Sequence, residues 1–171
     1  MLGPILRIFR RIARLFTLTE GERSILLAAI SASVFGAVLA FNFVMTLGGQ
    51  MAMLNMLSAY ELWVTMSGAI GALAGLYLSR NWMGHAGWRG LVRACAGIIS
   101  TSMTRAVVAG TLALPFYGTM FGPFTLVMTL IGAPILAMLW ISTLACAHFL
   151  LATWRSERAA AMDAVMPAVQ A

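Results

Sequence analysis

The feature that most constrains the fold is an uncharged apolar run from residue 25 to residue 47. At about 1.5 Å per residue in a helix, this run is long enough to cross the roughly 30 Å of hydrocarbon in a bilayer. Over the whole chain, 61% of the residues are hydrophobic and only 9% are charged, whereas soluble domains carry about 25% charged residues. The sequence therefore predicts an all-α integral membrane protein.

Four such segments follow one another along the chain. The predicted spans cover residues 24–47, 62–79, 92–114 and 124–152. With their loops they make a four-helix transmembrane domain over residues 19–154, and residues 155–171 are expected to form a cytoplasmic tail. The last run is longer than one span requires and contains Pro134. This predicts either a kink at the proline or a first part that lies in the outer interface or re-enters.

The first 18 residues, 1–18, form a separate amphipathic segment. Apolar residues share one helical face, and four arginines share the other: Arg7, Arg10, Arg11 and Arg14. This pattern is typical of a helix that lies in the membrane interface with its cations on lipid phosphates. Thr19 and Glu22 then have the spacing of a capping box, so a new helix is expected to begin near Gly21.

The basic residues also predict how the chain is oriented. The eleven are all arginines, and with five acidic residues they give a formal net charge of +6. The arginines outside the spans fall on one side if both termini are cytoplasmic, and the loops near residues 48–61 and 115–123 contain none. Arginine without lysine suggests a bacterial genome. We therefore expect a multi-pass protein of the bacterial inner membrane, with anionic inner-leaflet lipids as partners and no nucleic acid.

One arginine, Arg105, lies inside the third predicted span, with no acidic residue in the surrounding sequence. A central arginine costs at least roughly 2.5–3.5 kcal/mol on insertion scales, so we expect it to face other helices rather than lipid. By depth, its expected neighbours on the fourth span are Trp140, for a cation–π contact, Ser142 and Thr143. None of these neutralises the charge. The sequence leaves open an acid from a partner chain, a bound anion or lipid phosphate, and snorkelling to the inner interface.

A second topology places Arg105 differently. In it the third span begins after Arg105 and runs to about residue 131, with a turn at residues 132–134. That arrangement brings Arg105 to the inner interface, but it buries Pro115 and Pro123 within the membrane at the expense of helix hydrogen bonds. The first topology, in which residues 115–123 form an outer turn, is therefore favoured.

Small residues recur at helical spacing on the first two spans. The residues expected in close helix–helix contact are Ala28, Ala32, Gly36, Ala40, Gly68, Gly71 and Gly75. Because several helices carry such a face, at least one is expected to be left for a partner chain. The favoured function is a non-catalytic accessory or assembly subunit of a larger membrane complex, with other subunits or further copies as partners. The alternative is a small homo-oligomeric transporter or channel with an anion site at Arg105.

No pattern of reactive residues predicts an enzyme or a cofactor. Cys95 and Cys146 form no CxxC motif and are expected to be packing residues. His85 and His148 are the two histidines, but His85 falls in a loop, which argues against a haem held between helices. Methionines at residues 45–56 match the soft ligands of Cu(I), yet methionine occurs along the whole chain and commonly fills apolar surface.

Overall fold

The structure, a computed structural model, describes residues 19–48 and 58–169, with side chains over residues 19–46 and 58–162. Within these ranges the regular structure is helical: α1 spans Glu20–Gly48, α2 Ala59–Ser79, α3 Gly87–Ala113, α4 Gly118–Gly132 and α5 Pro134–Val169. All of these except α4 are long and apolar enough to cross a membrane, as in a multi-pass membrane protein. The amphipathic segment predicted for residues 1–18, with its four arginines, lies outside the described residues.

Local side-chain caps explain where the first two helices begin. At the start of α1, Glu22 N donates to Thr19 Oγ1 over 3.3 Å, and Thr19 N donates to a Glu22 carboxylate oxygen over 3.2 Å. These two bonds confirm the predicted capping box. Ser58 and Glu61 form a second capping box at the start of α2. Each box gives side-chain acceptors to two backbone N–H groups at a helix start.

The predicted fourth run, residues 124–152, is divided between two helices. α4 already begins at Gly118, and the chain leaves the helical conformation at Ala133, with φ −132° and ψ 75°. The reason is Pro134, because a proline pushes the residue before it out of the α region. With 15 residues, α4 is only about 22 Å long and too short to cross a bilayer. α5 then continues through the predicted tail to Val169.

The third helix is unbroken through Arg105. α3 ends at Ala113, and the chain turns over residues 114–117 before α4 begins. The second topology requires a continuous helix from residue 106 to residue 131, and the turn at residues 114–117 interrupts that stretch. The turn is closed by backbone bonds from Leu114 N to the Gly110 carbonyl oxygen and from Gly118 N to the Leu114 carbonyl oxygen, over 2.8 and 2.7 Å.

The helices pack as an arc in the spatial order α4, α3, α2, α1, α5. Neighbours in this order are in extensive contact, whereas α4 touches α5 and α1 only sparsely. Glycines allow the closest approaches. A Cβ on Gly36 of α1 or on Gly68 of α2 would lie 2.6 Å from the carbonyl oxygen of the other residue, and a Cβ on Gly75 would lie 2.5 Å from the Thr101 carbonyl oxygen on α3. Only hydrogen fits at these contacts, as in other membrane helix pairs.

One end of the bundle, which we call the clamped end, is held together by hydrogen bonds between distant segments. It consists of the start of α1, the loop between α2 and α3, and the second half of α5. Arg155 donates to the carbonyl oxygens of Met83 and Arg80, each over 3.0 Å. The Glu157 carboxylate accepts from Gly21 N over 2.6 Å, and thereby caps α1 from another helix. The opposite end, where α1 and α3 end and α2 and α4 begin, we call the cavity end.

Candidate functional site

Arg105 lies on α3 and is buried among the chain's own helices, with 5% of its surface exposed. Its backbone lies directly against α2, because a Cβ on Gly71 would be 2.6 Å from the Arg105 carbonyl oxygen. The side chain extends to α1, where its Nη2 donates to the Gly36 carbonyl oxygen over 2.8 Å. Gly36 has no side chain to cover this oxygen, and a carbonyl has two lone pairs, so it can accept from Arg105 in addition to its helix bond.

Trp140 on α5 forms another wall around the guanidinium. Arg105 Cζ lies 5.4 Å from the centroid of the indole ring, which is within the range of a cation–π contact. Trp140 is fully buried, and its Nε1 donates to Ser102 Oγ over 2.9 Å. Because Ser102 lies one turn before Arg105 on α3, the helix that carries the arginine also fixes the ring beside it.

The positive charge of Arg105 has no carboxylate partner among the described residues. Glu22, Glu61 and Glu157 accept hydrogen bonds at helix N-termini instead. Within the same ranges, the buried Nε of Arg105 has no hydrogen-bond partner. A guanidinium has five N–H donors, and a buried donor without an acceptor costs free energy. The site therefore has an unused donor and an uncompensated charge.

Arg105 also lines a cavity of about 440 Å³. The described parts of α1, α2, α3 and α4 contribute its wall. On α3 the lining begins at Arg105 and follows the helix to Leu114 just beyond its end, and on α2 it lies in the first two turns, at Tyr60, Glu61 and Val64. The cavity thus extends from the buried guanidinium to the cavity end of the bundle. Its volume falls within the roughly 300–1,000 Å³ of typical ligand pockets.

Apart from Arg105, the described wall is apolar or its polar groups are already paired. Tyr60 Oη donates to a carbonyl oxygen at the end of α3 over 3.3 Å. Thr125 and Thr129 on α4 donate to carbonyl oxygens about one turn earlier in their own helix, over 2.9 and 2.8 Å. The Glu61 carboxylate accepts a backbone N–H of its capping box. Arg105 is therefore the cation of the described wall, and its Nε is the donor that has no hydrogen-bond partner there.

The other two residues predicted beside Arg105 make no hydrogen bond to it in the described structure. Ser142 is exposed, because it follows Trp140 by two residues and so faces nearly the opposite side of α5. Thr143 is buried, but its Oγ1 donates to a carbonyl oxygen of its own helix over 2.8 Å. Sequence analysis missed the Gly36 carbonyl as the acceptor. The signal for it was a glycine within a ridge of small residues, where a carbonyl stays accessible to a neighbouring helix.

The small residues predicted to mediate helix contacts lie inside the chain's own bundle. The buried ones are Ala28, Ala32, Gly36, Gly68, Gly71 and Gly75. Ala40 is half-buried, and its Cβ lies where a side chain on Gly68 would begin. These residues pack α1 on α2 and α5, and α2 on α3. They are therefore not left on the surface for a second chain.

The two histidines belong to the clamped end. His148 Nδ1 accepts from Gly84 N over 2.9 Å, which joins α5 to the loop between α2 and α3. His85 Nε2 lies 3.0 Å from a carbonyl oxygen of the same loop. In residues 19–46 and 58–162, whose side chains the structure describes, no three His, Cys, Asp or Glu side chains are grouped as a metal site requires. Cys95 and Cys146, expected as packing residues, are exposed on α3 and α5 instead.

The arrangement around Arg105 is suited to holding an anion. Charge-assisted hydrogen bonds from a guanidinium are stronger than those between neutral groups, and they strengthen further where water is excluded. The geometry brings together one cation, one indole ring and an apolar cavity.

No protein family, curated protein sequence or solved structure matches the chain.

Proposed function

We propose that the protein is a non-catalytic membrane protein that binds an anion at Arg105, and that it acts as a small carrier for this anion. The supporting observation is a buried guanidinium with an unpaired Nε that lines a cavity of about 440 Å³. A buried charge is costly unless it is paired and hydrogen-bonded. An anion in the cavity supplies the counter-charge that the described residues do not.

An anion in the cavity accounts for this geometry better than an acidic residue of a partner helix. Arg105 contacts α1, α2 and α5 besides its own helix, so an acidic side chain from outside the bundle would have to enter the cavity to meet its guanidinium. A ligand that occupies the cavity meets it directly. The accessory-subunit function rests largely on small-residue faces, and those faces are occupied by contacts within the chain. The accessory-subunit function remains the alternative proposal.

Transport is proposed because a broken helix pair lies beside the cavity. Many membrane carriers form their substrate sites where helices are interrupted. α4 ends at Gly132 and α5 begins at Pro134, and Thr129, close to this break, lines the cavity. Since α4 touches α1 and α5 only sparsely, it can move relative to both without loss of the main helix contacts.

The predicted orientation gives the cavity a direction. With both termini in the cytoplasm, the cavity opens toward the outer face of the bacterial inner membrane, and Arg105 lies near the bilayer midplane. An anion there experiences a low dielectric constant, so its attraction to Arg105 is stronger than in water.

Anion binding by Arg105 variants tests the proposal. The full-length protein in nanodiscs of zwitterionic lipid is titrated with acetate, inorganic phosphate and palmitate, and tryptophan fluorescence is recorded because Trp140 lies beside the site. At least one anion is expected to bind Arg105→Gln about tenfold or more weakly than wild type, because charge-assisted hydrogen bonds are lost. Arg158→Gln is the matched control, because Arg158 is exposed and lies over Trp154 instead.

Two results would overturn the proposal. The first is equal binding of all three anions by wild type and by Arg105→Gln. The second is a photo-crosslinker at position 109, in the cavity wall one turn from an intact Arg105, that captures an acidic segment of a second membrane protein, which would favour the accessory-subunit function. If binding depends on Arg105, uptake of the bound anion into proteoliposomes then tests transport itself.

A further inference from the structure

We infer that the ligand is a single-chain amphiphile with one carboxylate, an ionised long-chain fatty acid, whose head lies at Arg105 and whose chain fills the apolar part of the cavity. The inference rests on the proposed function and specifies its substrate class. It follows from the number of unused polar groups in the site, the form of the guanidinium, and the size and polarity of the wall.

The described wall offers one positive charge and no second set of free donors. The hydroxyls of Tyr60, Thr125 and Thr129 already donate to backbone carbonyl oxygens. A phosphate monoester carries a charge of about −1.5 to −2 and three strong acceptor oxygens, most of which this wall would leave unpaired. A carboxylate carries one charge, which Arg105 alone can match.

The guanidinium is already oriented for a planar ligand. Arg105 Nη2 donates to the Gly36 carbonyl oxygen over 2.8 Å, and Arg105 Cζ lies 5.4 Å from the centroid of the Trp140 ring. Nε has no hydrogen-bond partner among the described residues. Guanidinium groups bind carboxylates through two parallel N–H···O bonds, and Arg105 lines the cavity with such a planar group, whose charge has no carboxylate partner among the described residues. Because the side chain is fixed beforehand, little of its freedom is lost on binding.

The remainder of the cavity fits a hydrocarbon chain. Leu39 and Phe43 on α1 face the cavity together with Phe121 and Leu126 on α4. A cavity of about 150 Å³ holds benzene, so by proportion the 440 Å³ here has room for roughly 18 carbon atoms. A small hydrated anion would lose its water in this cavity and make no use of the apolar wall.

The cavity wall is least closely packed between α1 and α4. α1 and α4 carry Phe43 and Phe121, and these two helices touch only sparsely. An amphiphile dissolved in the membrane reaches the cavity through this seam. At the cavity end, by contrast, the Glu61 carboxylate lies in the wall and repels free anions that approach from water.

The experiment uses stearate brominated either near its carboxyl end or near its methyl end, because bromine quenches nearby tryptophan fluorescence. The full-length protein is studied in nanodiscs of zwitterionic lipid, and Trp140→Phe identifies the part of the signal that comes from Trp140. Carboxyl-end bromine is expected to quench Trp140 more strongly than methyl-end bromine. Arg105→Gln is expected to weaken binding about tenfold or more, and Arg105→Lys by less, because lysine keeps the charge but not the planar fork.

Competition separates this inference from the proposed function. Unlabelled stearate is expected to restore the fluorescence, and hexadecanol, acetate and inorganic phosphate are not. Acetate or phosphate binding that depends on Arg105 and matches stearate would overturn the fatty-acid inference and leave the proposed function intact. Binding of every probe without dependence on Arg105 would overturn both. Equal displacement by hexadecanol would also overturn the inference, since the head group would then contribute nothing.

A second variant keeps the test decisive if Arg105→Gln alters the fold. Val64→Trp fills part of the cavity and leaves Arg105 unchanged, because Val64 is a half-buried lining residue of α2. Stearate is expected to bind this variant more weakly than wild type. Wild-type affinity in a variant whose circular dichroism is unchanged would place the hydrocarbon chain outside this cavity and overturn the inference.

Discussion

Arg155 and Arg105 both donate to backbone carbonyl oxygens, but they satisfy their donors to different extents. Arg155, at the clamped end, uses Nε and Nη2 to bind two carbonyl oxygens, at Met83 and Arg80. Arg105, beside the cavity, uses Nη2 to bind one, and its Nε has no acceptor among the described residues. Arg155 thus joins two segments of the chain with its donors, whereas Arg105 has a buried donor that the described residues leave unpaired.

The two ends of the bundle differ in what fills the space between helices. At the clamped end, Met83 is fully buried in a cluster with Ala28, Ala32 and Leu151. At the cavity end, α4 is drawn against α3, with Gly122 directly beside the Ala106 carbonyl oxygen. This close contact on one side of α4 leaves space between α4 and α1 on the other. The bundle is therefore closely packed at the clamped end and between α3 and α4, and has a cavity between α4 and α1.

The largest expected effect concerns which end faces the cytoplasm. In a Cys95→Ala, Cys146→Ala background, Phe116→Cys and Ser156→Cys place one thiol at each end of the bundle, and both positions are exposed. A membrane-impermeant maleimide added to intact spheroplasts is expected to label residue 116 and not residue 156, because the arginines near residue 156 favour the cytoplasm. Labelling of both positions from the outside would contradict the predicted orientation.

A single methyl group should distinguish the closely packed helices from the uncrowded last residue of α4. A Cβ on Gly75 would lie 2.5 Å from the Thr101 carbonyl oxygen, whereas a Cβ on Gly132 would meet nothing within 4 Å. We expect Gly75→Ala to lower the free energy of unfolding by about 3 kcal/mol, the upper part of the range for overpacking. Gly132→Ala should leave it unchanged or raise it by up to about 1 kcal/mol. Unfolding by SDS in mixed micelles, followed by circular dichroism, gives both values, and equal losses would contradict the comparison.

Local sequence was sufficient to predict where three of the helices form. Residues 24–47, 62–79 and 92–114 agree with α1, α2 and α3 to within a few residues, because each is an apolar run bounded by a cap, a glycine or a polar loop. The segment after α3 was less predictable. Gly118 and Gly122 indicate a turn, yet both lie within α4 and serve to admit α3. A sequence does not distinguish a glycine that bends the chain from one that admits a neighbouring helix.

Two residues of the site were predictable from the sequence, Arg105 and its cation–π neighbour Trp140. Arg105 is identified by its charge alone, since an arginine in an apolar span needs a buried environment. Its acceptor, Gly36, is 69 residues away in the chain, and no local pattern links the two. The cavity depends on the sparse contact between α4 and α1, which is set by tertiary packing.

The two arginines should respond differently to the same substitution. Arg155→Gln is expected to lower the free energy of unfolding by about 2 kcal/mol, because it removes two charge-assisted hydrogen bonds that half-exposure weakens. Arg105→Gln, measured without added anion, should leave stability unchanged or raise it, because a buried charge without a counter-charge is removed. The same SDS unfolding experiment measures both. Similar losses in both variants would mean that Arg105 is a structural link like Arg155, and would remove the basis for a ligand.

The smallest expected effect concerns the cap that α5 places on α1. The Glu157 carboxylate accepts from Gly21 N over 2.6 Å and from Thr19 Oγ1 over 3.1 Å, and its charge is favourable at a helix N-terminus. Glu157→Gln keeps an acceptor but loses the charge, so we expect a loss of about 1 kcal/mol. Hydrogen exchange should become faster in the first turn of α1, and Arg158→Gln, at the adjacent exposed position, should not change it. Anion affinity should stay at the wild-type value in both variants, because Arg105 has no contact with this cap. A change in anion affinity with Glu157→Gln would show that α1 couples the clamped end to the cavity, and that the two ends do not act independently.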